Sequence, residues 1–181
     1  MKIFSLIFIF CTLFSEGLYA SDKEDKIISL IRDNYVQINS NIGKFRLVTK
    51  EFSGESTEGG SAEIYYKDKT AVKIVITYYG EMGKSIEEYY FSEEKLIFVF
   101  VRDYQYNRPI YFDAQYASEN NDEAFDIEKS KVLESRYYFH NEGLIRWIDE
   151  DKKKMNKKTE KFIQKEKSIK EEMKRIREMI K

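Results

Sequence analysis

Tyr89-Tyr90-Phe91-Ser92-Glu93-Glu94-Lys95-Leu96-Ile97 is the stretch whose reading decides the fold. An aromatic triplet, a short charged reversal and an aliphatic pair read as strand, tight turn and strand. The phrase returns as Tyr137-Tyr138-Phe139, followed at the same spacing by Leu144-Ile145. A weaker copy is Tyr65-Tyr66, with Val72 seven residues after the first tyrosine. The leading tyrosines stand at 65, 89 and 137, so the steps are 24 and then 48, twice 24. Each phrase reads as the same hairpin corner, and short strands joined by short polar turns favour a sequential antiparallel meander.

Working outward, strands are expected near 44–52, 62–67, 71–79, 84–92, 95–105, 130–140 and 144–149. Their turns are polar: Asp68-Lys69-Thr70, Gly80-Glu81-Met82-Gly83, Ser92-Glu93-Glu94 and Asn141-Glu142-Gly143. Alternation puts Val72, Ile74, Ile76 and Tyr78 on one face of the third strand. In 95–105 both faces are apolar, Leu96, Phe98 and Phe100 against Ile97, Val99 and Val101, which predicts a central strand covered on both sides. Before the sheet, Ile27, Ile31, Tyr35 and Ile38 lie on one face of a helix that Ser21-x-x-Glu24 would start by a capping box. The segment 53–61, with its glycines and serines, is a loop. The longer segment from Tyr106 to Lys129 has an acidic second half, and Ile110, Phe112 and Phe125 favour an ordered flap over the sheet.

The fold class is therefore α+β: an N-terminal helix, an antiparallel β-meander of about six or seven strands, and a long C-terminal helix. The domains expected are a signal peptide at 1–20, an α+β domain at 21–149 and a charged helix at 150–181. Lys2 followed by the apolar run from Ile3 to Phe14, with Ala20 as the small residue at the cut, reads as a secretory leader too short to span a membrane. Localisation is thus expected to be periplasmic or secreted after cleavage near Ala20. Cys11, the one cysteine, falls inside that leader, so the mature chain would have no disulfide. The terminal segment from Asp149 carries 13 basic and 8 acidic residues, against 17 and 23 in residues 21–148. Met155, Phe162, Ile169 and Ile176 recur every seven residues in it, a narrow stripe that suits docking on the chain's own acidic domain, a coiled coil, or a homo-oligomer.

Charged residues make up 35% of the chain, yet the net charge is only −1, which argues against a nucleic-acid partner. The single histidine, His140, sits at a hairpin end, and with no cysteine beside it a zinc site is not expected. No phosphate-cradling glycine motif is present, and the acidic loop lacks the calcium-loop pattern. No catalytic residue, metal or cofactor is predicted. What stands out is a binding surface: Arg102, Tyr104, Tyr106, Arg108, Tyr111 and Trp147 combine flat rings with forked donors. Tyrosines on strands also serve as sheet packing, so the same residues have a purely structural reading. The expected partner is a protein, peptide or envelope component. Two alternatives stay open: a carrier holding an apolar small molecule in a curved sheet, and a hydrolase using two acids about 5–10 Å apart.

The tyrosine corners at 65–74, 89–97 and 137–145 resemble the hairpin repeats of MORN-variant proteins, found among secreted and surface-associated bacterial proteins. That resemblance implies a sheet of hairpins with a binding or structural role and carries over no catalytic residue.

Overall fold

The computed structural model describes residues 10–53 and 58–179, with the side chains of the first helix described from Asp22 onward. The first nine residues of the expected leader, residues 54–57 of the first loop, and residues 180 and 181 lie outside the described residues. The elements run α1 (Phe10–Ser40), β1 (Arg46–Phe52), β2 (Gly60–Lys67), β3 (Thr70–Gly80), β4 (Gly83–Ser92), β5 (Lys95–Gln105), α2 (Ala114–Asn120), β6 (Lys131–His140), β7 (Gly143–Ile148) and α3 (Glu160–Met179). All seven strands form one antiparallel sheet in sequence order, the meander expected.

The three tyrosine corners share one local device. At each, the second strand carries one residue more than the first. Tyr65 pairs with Lys73 and Tyr66 with Ala71, leaving Val72 extra. Tyr90 pairs with Phe98 and Phe91 with Leu96, leaving Ile97 extra. Tyr138 pairs with Arg146 and Phe139 with Leu144, leaving Ile145 extra. Aligned by these bulges, Tyr65 corresponds to Tyr90 and Tyr138, one place later in the phrase than the repeated sequence suggests. Val72, Ile97 and Ile145 all join the apolar cluster beneath α1. The bulge thus adds an apolar side chain on the face where the helix crosses. Glu93 and Glu94, and Asn141 and Glu142, supply the positive φ angles of two of these tight turns without a central glycine.

Each face of the sheet has its own helix. Ile28, Ile31 and Ile38 of α1 are buried against Tyr90, Phe98 and Tyr138. Tyr35 sits 5.0 Å from the Tyr90 ring and 5.7 Å from Phe98. On the other face, Phe162, Ile169, Met173 and Ile176 of α3 are buried against Ile74, Tyr89, Val99, Tyr137 and Trp147. The two apolar faces of β5 pack against these helices, and on the α1 side Phe98 and Phe100 also line a cleft. The seven-residue stripe that suggested a coiled coil is buried on the chain's own sheet.

Two helix boundaries differ from expectation. Helix α1 does not begin at Ser21: it is continuous from Phe10, because no proline interrupts the run and the apolar leader residues are themselves able to form helix. Glu24 is therefore not a cap. It accepts from Arg146 at 2.7 Å, Lys157 at 2.5 Å and Lys154 at 3.1 Å, tying α1 to β7 and the segment after it. Helix α3 begins at Glu160, not at 150. The Asp149 carboxylate accepts from the backbone N–H of Lys153, Lys152 adopts a φ of 63°, and Lys154 bridges back to Ile148. The chain thus doubles back beside β7 and tucks Met155 against the core before Thr159 starts the helix.

Two outcomes are expected. Ile176, the fully buried residue on the sheet-facing side of α3, should cost about 3 kcal/mol as Ile176→Ala, read from the denaturation midpoint. Burial alone would raise the Glu24 carboxyl, but hydrogen bonds from Lys157, Arg146 and Lys154 overcome this and hold it at about 2, below its ordinary 4.5. The stabilisation from a depressed carboxyl is present above the unfolded value and is lost as pH falls toward the folded one. Glu24→Gln should therefore lose less stability than the parent between pH 4.5 and about 2, followed by thermal melts across that range.

Candidate functional site

The candidate site is the end of the sheet where β3 turns into β4 and the chain leaves β5. The two-residue turn Glu81-Met82 closes Gly80 onto Gly83. A Cβ at Gly83 would stand 2.1 Å from the Tyr104 carbonyl oxygen, so the position admits no side chain. The segment after β5 docks on this turn: Tyr106 donates its N–H to the Met82 carbonyl at 2.9 Å, and Ile110 to that of Glu81 at 3.1 Å.

Local hydrogen bonds order the loop. Asn107 donates to the Ala124 carbonyl at 3.1 Å and accepts from the Asp126 N–H at 2.9 Å, closing the two ends of the excursion together. Arg108 pairs with Asp122 at 2.6 Å, and that guanidinium holds the Asp122 carboxyl below its ordinary range. Asp113 caps α2 by accepting from the Tyr116 N–H. The excursion is ordered as expected, but it packs at the end of the sheet through the β3–β4 turn, because its first backbone donors meet that turn.

The result is a protruding aromatic knuckle. Phe112 and Tyr116 lie 4.3 Å apart between ring centres, and Tyr111 is 5.5 Å from Phe112. A hydrogen bond to the Glu81 carboxylate, with burial behind it, pushes the Tyr111 hydroxyl up from its ordinary value. Met82, Ile110, Tyr111 and Tyr116 are 52%, 51%, 56% and 41% exposed, so four large apolar side chains share one small region. Residues 106–130 carry six acids against two bases, and Glu81 adds another. Both bases are engaged, Arg108 by Asp122 and Lys129 by Glu123 at 2.7 Å.

Of the six residues expected to bind, Tyr106, Arg108 and Tyr111 belong to this loop. Tyr106 packs on Phe125 at 5.0 Å, and its hydroxyl is pushed up by burial and by its neighbours Tyr104 and Tyr79. Tyr104 is adjacent, on the α1 face of β5, with Lys84 4.9 Å from its ring centre. Arg102 is one pleat further in and pairs at 2.5 Å with Glu88. Glu88 is buried and also holds Lys73 at 2.6 Å and the Tyr90 hydroxyl at 2.5 Å. Burial opposes its ionised form, but these partners keep its carboxyl below the ordinary range. Trp147 stands apart, on the opposite face beneath α3, 2% exposed and 5.5 Å from Tyr137. Met82, Ile110 and Tyr116 were missed: only their exposure distinguishes them from core residues, and exposure is not written in the chain.

Among the described residues, no cluster of histidine, cysteine or acids is arranged to hold a metal, and no helix is long and apolar enough to cross a membrane. On the α3 side, Glu87 and Glu172 act on each other electrostatically. Each already accepts a tyrosine hydroxyl, from Tyr89 and Tyr78 respectively. In comparisons with known proteins, no family model, no curated protein and no solved structure matches this chain.

Asn107→Ala removes both ends of the loop clasp and should cost about 1–2 kcal/mol. Amide exchange at Phe125 to Glu128 should quicken, while exchange in β5 stays slow.

Proposed function

We propose that this is an exported, non-enzymatic interaction protein that docks a positively charged protein or peptide on the knuckle at the β3–β4 end. The observation carrying this reading is the grouping of Met82, Ile110, Tyr111 and Tyr116, exposed together within an acid-rich loop. Isolated surface apolar residues need no explanation, whereas a contiguous rigid patch with aromatic members suits an interface centre. The acidic surroundings select the partner's charge. They disfavour an anionic lipid surface, which attracts basic segments, and they favour lysine- or arginine-bearing partners through steering and complementarity.

Two features support rigid docking. The loop is anchored by backbone bonds to the β3–β4 turn, so little ordering entropy is lost on association. Tyrosine also supplies large contact area with few rotatable bonds. Export rests on the charged start, apolar run and small residue at Ala20. The resemblance of the tyrosine corners to MORN-variant hairpins is consistent with a surface or envelope setting.

A photo-crosslinking residue placed at Tyr111 in the exporting cell should capture one identifiable basic partner. The same probe at Ile163, exposed on α3 away from the knuckle, should not. Ile110→Asn with Tyr111→Ser should abolish capture, and raising salt from 50 to 300 mM should weaken it. Equal capture from both probe sites, or an acidic partner, would overturn the docking assignment. A secreted form beginning at Met1 would overturn the export assignment.

A further inference from the structure

A second concave site lies away from the knuckle, between α1 and the sheet. It is a cleft of about 530 Å³, lined by Arg32 and Tyr35 of α1, Phe98 and Phe100 of β5, and Arg136 and Tyr138 of β6. That volume is in the range of small-molecule sites. Its walls are flat rings: Phe98 and Phe100 stack at 6.4 Å with 12° between their planes, and Tyr138 lies 4.8 Å from Phe98. Two guanidinium groups flank Phe100, Arg136 at 5.1 Å and Arg102 at 5.5 Å from its ring centre.

The charge in this cleft is not balanced. Arg136 is paired with Glu134 at 2.7 Å. Arg32 lines the cleft, is exposed, and carries no ion pair among the described residues. Arg102, on the other side of Phe100, does not line the cleft and is engaged by Glu88 through Nη2. One unpaired guanidinium on the rim, with one already neutralised beside it, leaves about a single positive charge. That matches a carboxylate better than a dianionic phosphate. Arginine's planar fork suits a carboxylate bidentately, and the stacked rings suit a flat apolar body.

We infer that the cleft between α1 and β5–β6 is a binding site for an aryl or alicyclic monocarboxylate, its acid on Arg32 and Arg136 and its ring against Tyr35, Phe98 and Phe100. The site shares no residue with the knuckle, so each assignment stands or falls on its own data.

The test titrates the full chain with 2-naphthoate, 2-naphthalenemethanol and 2-naphthyl phosphate, followed by amide chemical shifts. Naphthoate should perturb Tyr35, Phe98, Phe100 and Tyr138 and bind about tenfold more tightly than the alcohol. Arg32→Gln should weaken naphthoate roughly fivefold or more without affecting the alcohol, because a charge-assisted bond is lost and the apolar contacts remain. Being exposed, Arg32 can be changed with the melting temperature preserved, and Arg136→Gln repeats the test from the sheet side. Equal affinity for acid and alcohol, tighter binding of the phosphate, perturbations confined to residues outside the cleft, or failure to saturate at millimolar naphthoate would each overturn the assignment.

Discussion

A sheet whose middle strands are apolar on both faces must be covered twice. Every other feature of this protein follows from how it meets that demand. In β5, Phe98 and Phe100 face one side and Val99 and Val101 the other. Leaving either side wet would forgo a large part of the hydrophobic stabilisation, at about 25 cal/mol for each Å² exposed. The chain supplies one cover before the sheet and one after it. Helix α1 crosses the level of Tyr90, Phe98 and Tyr138, and α3 crosses that of Tyr89, Val99 and Tyr137. The pairs at 89–90 and 137–138 therefore serve both helices at once, the first tyrosine facing α3 and the second α1, whereas in the corner at 65–66 it is the second, Tyr66, that packs on the α3 side.

The register shift at each corner makes this double service possible. An extra residue on the second strand lets Val72, Ile97 and Ile145 face α1 alongside their neighbours. It also increases local twist, which helps a straight helix lie across several strands. Charge is admitted to these interfaces only where it is closely partnered. Glu88 holds Lys73, Arg102 and the Tyr90 hydroxyl near the end of α1, where Asn39 also reaches Lys73. Glu24, midway along α1, holds three basic groups. Removing one member of such a cluster would strand the rest, so these groups act as orientation marks for the helix more than as a source of net stability.

The covers leave two places where side chains meet solvent in an organised way. At the β3–β4 end the ordered loop adds an aromatic, acid-rich knuckle. Beside α1, Phe100 and Arg136 line a cleft with Arg32 and Tyr35 of the helix. Tyr104, at the end of β5, and Tyr106, Arg108 and Tyr111, in the loop that follows it, were legible as site candidates because they combine flat rings with a forked donor close to one another in the chain. Trp147 misled for a physical reason: a lone tryptophan reads the same in sequence whether it is displayed or buried, and here Phe162 of α3 covers it at 6.4 Å. Arg32 carries no such signal, since nothing local in the chain links it to Arg136 more than a hundred residues away.

The sequence by itself determined the strands, their order and their antiparallel pairing. Alternation, short polar turns and loop-closure entropy all act over a few neighbouring residues, and they agree along this chain. It also determined that two amphipathic helices would need a surface. Only the tertiary structure decided which helix took which face, that the corners are bulged and offset by one residue, that α3 starts at Glu160 after a doubling back, and which aromatic side chains remain outside. Those outcomes depend on contacts between segments distant in the chain, where one residue of register reverses the direction of every side chain, and no local pattern carries that information.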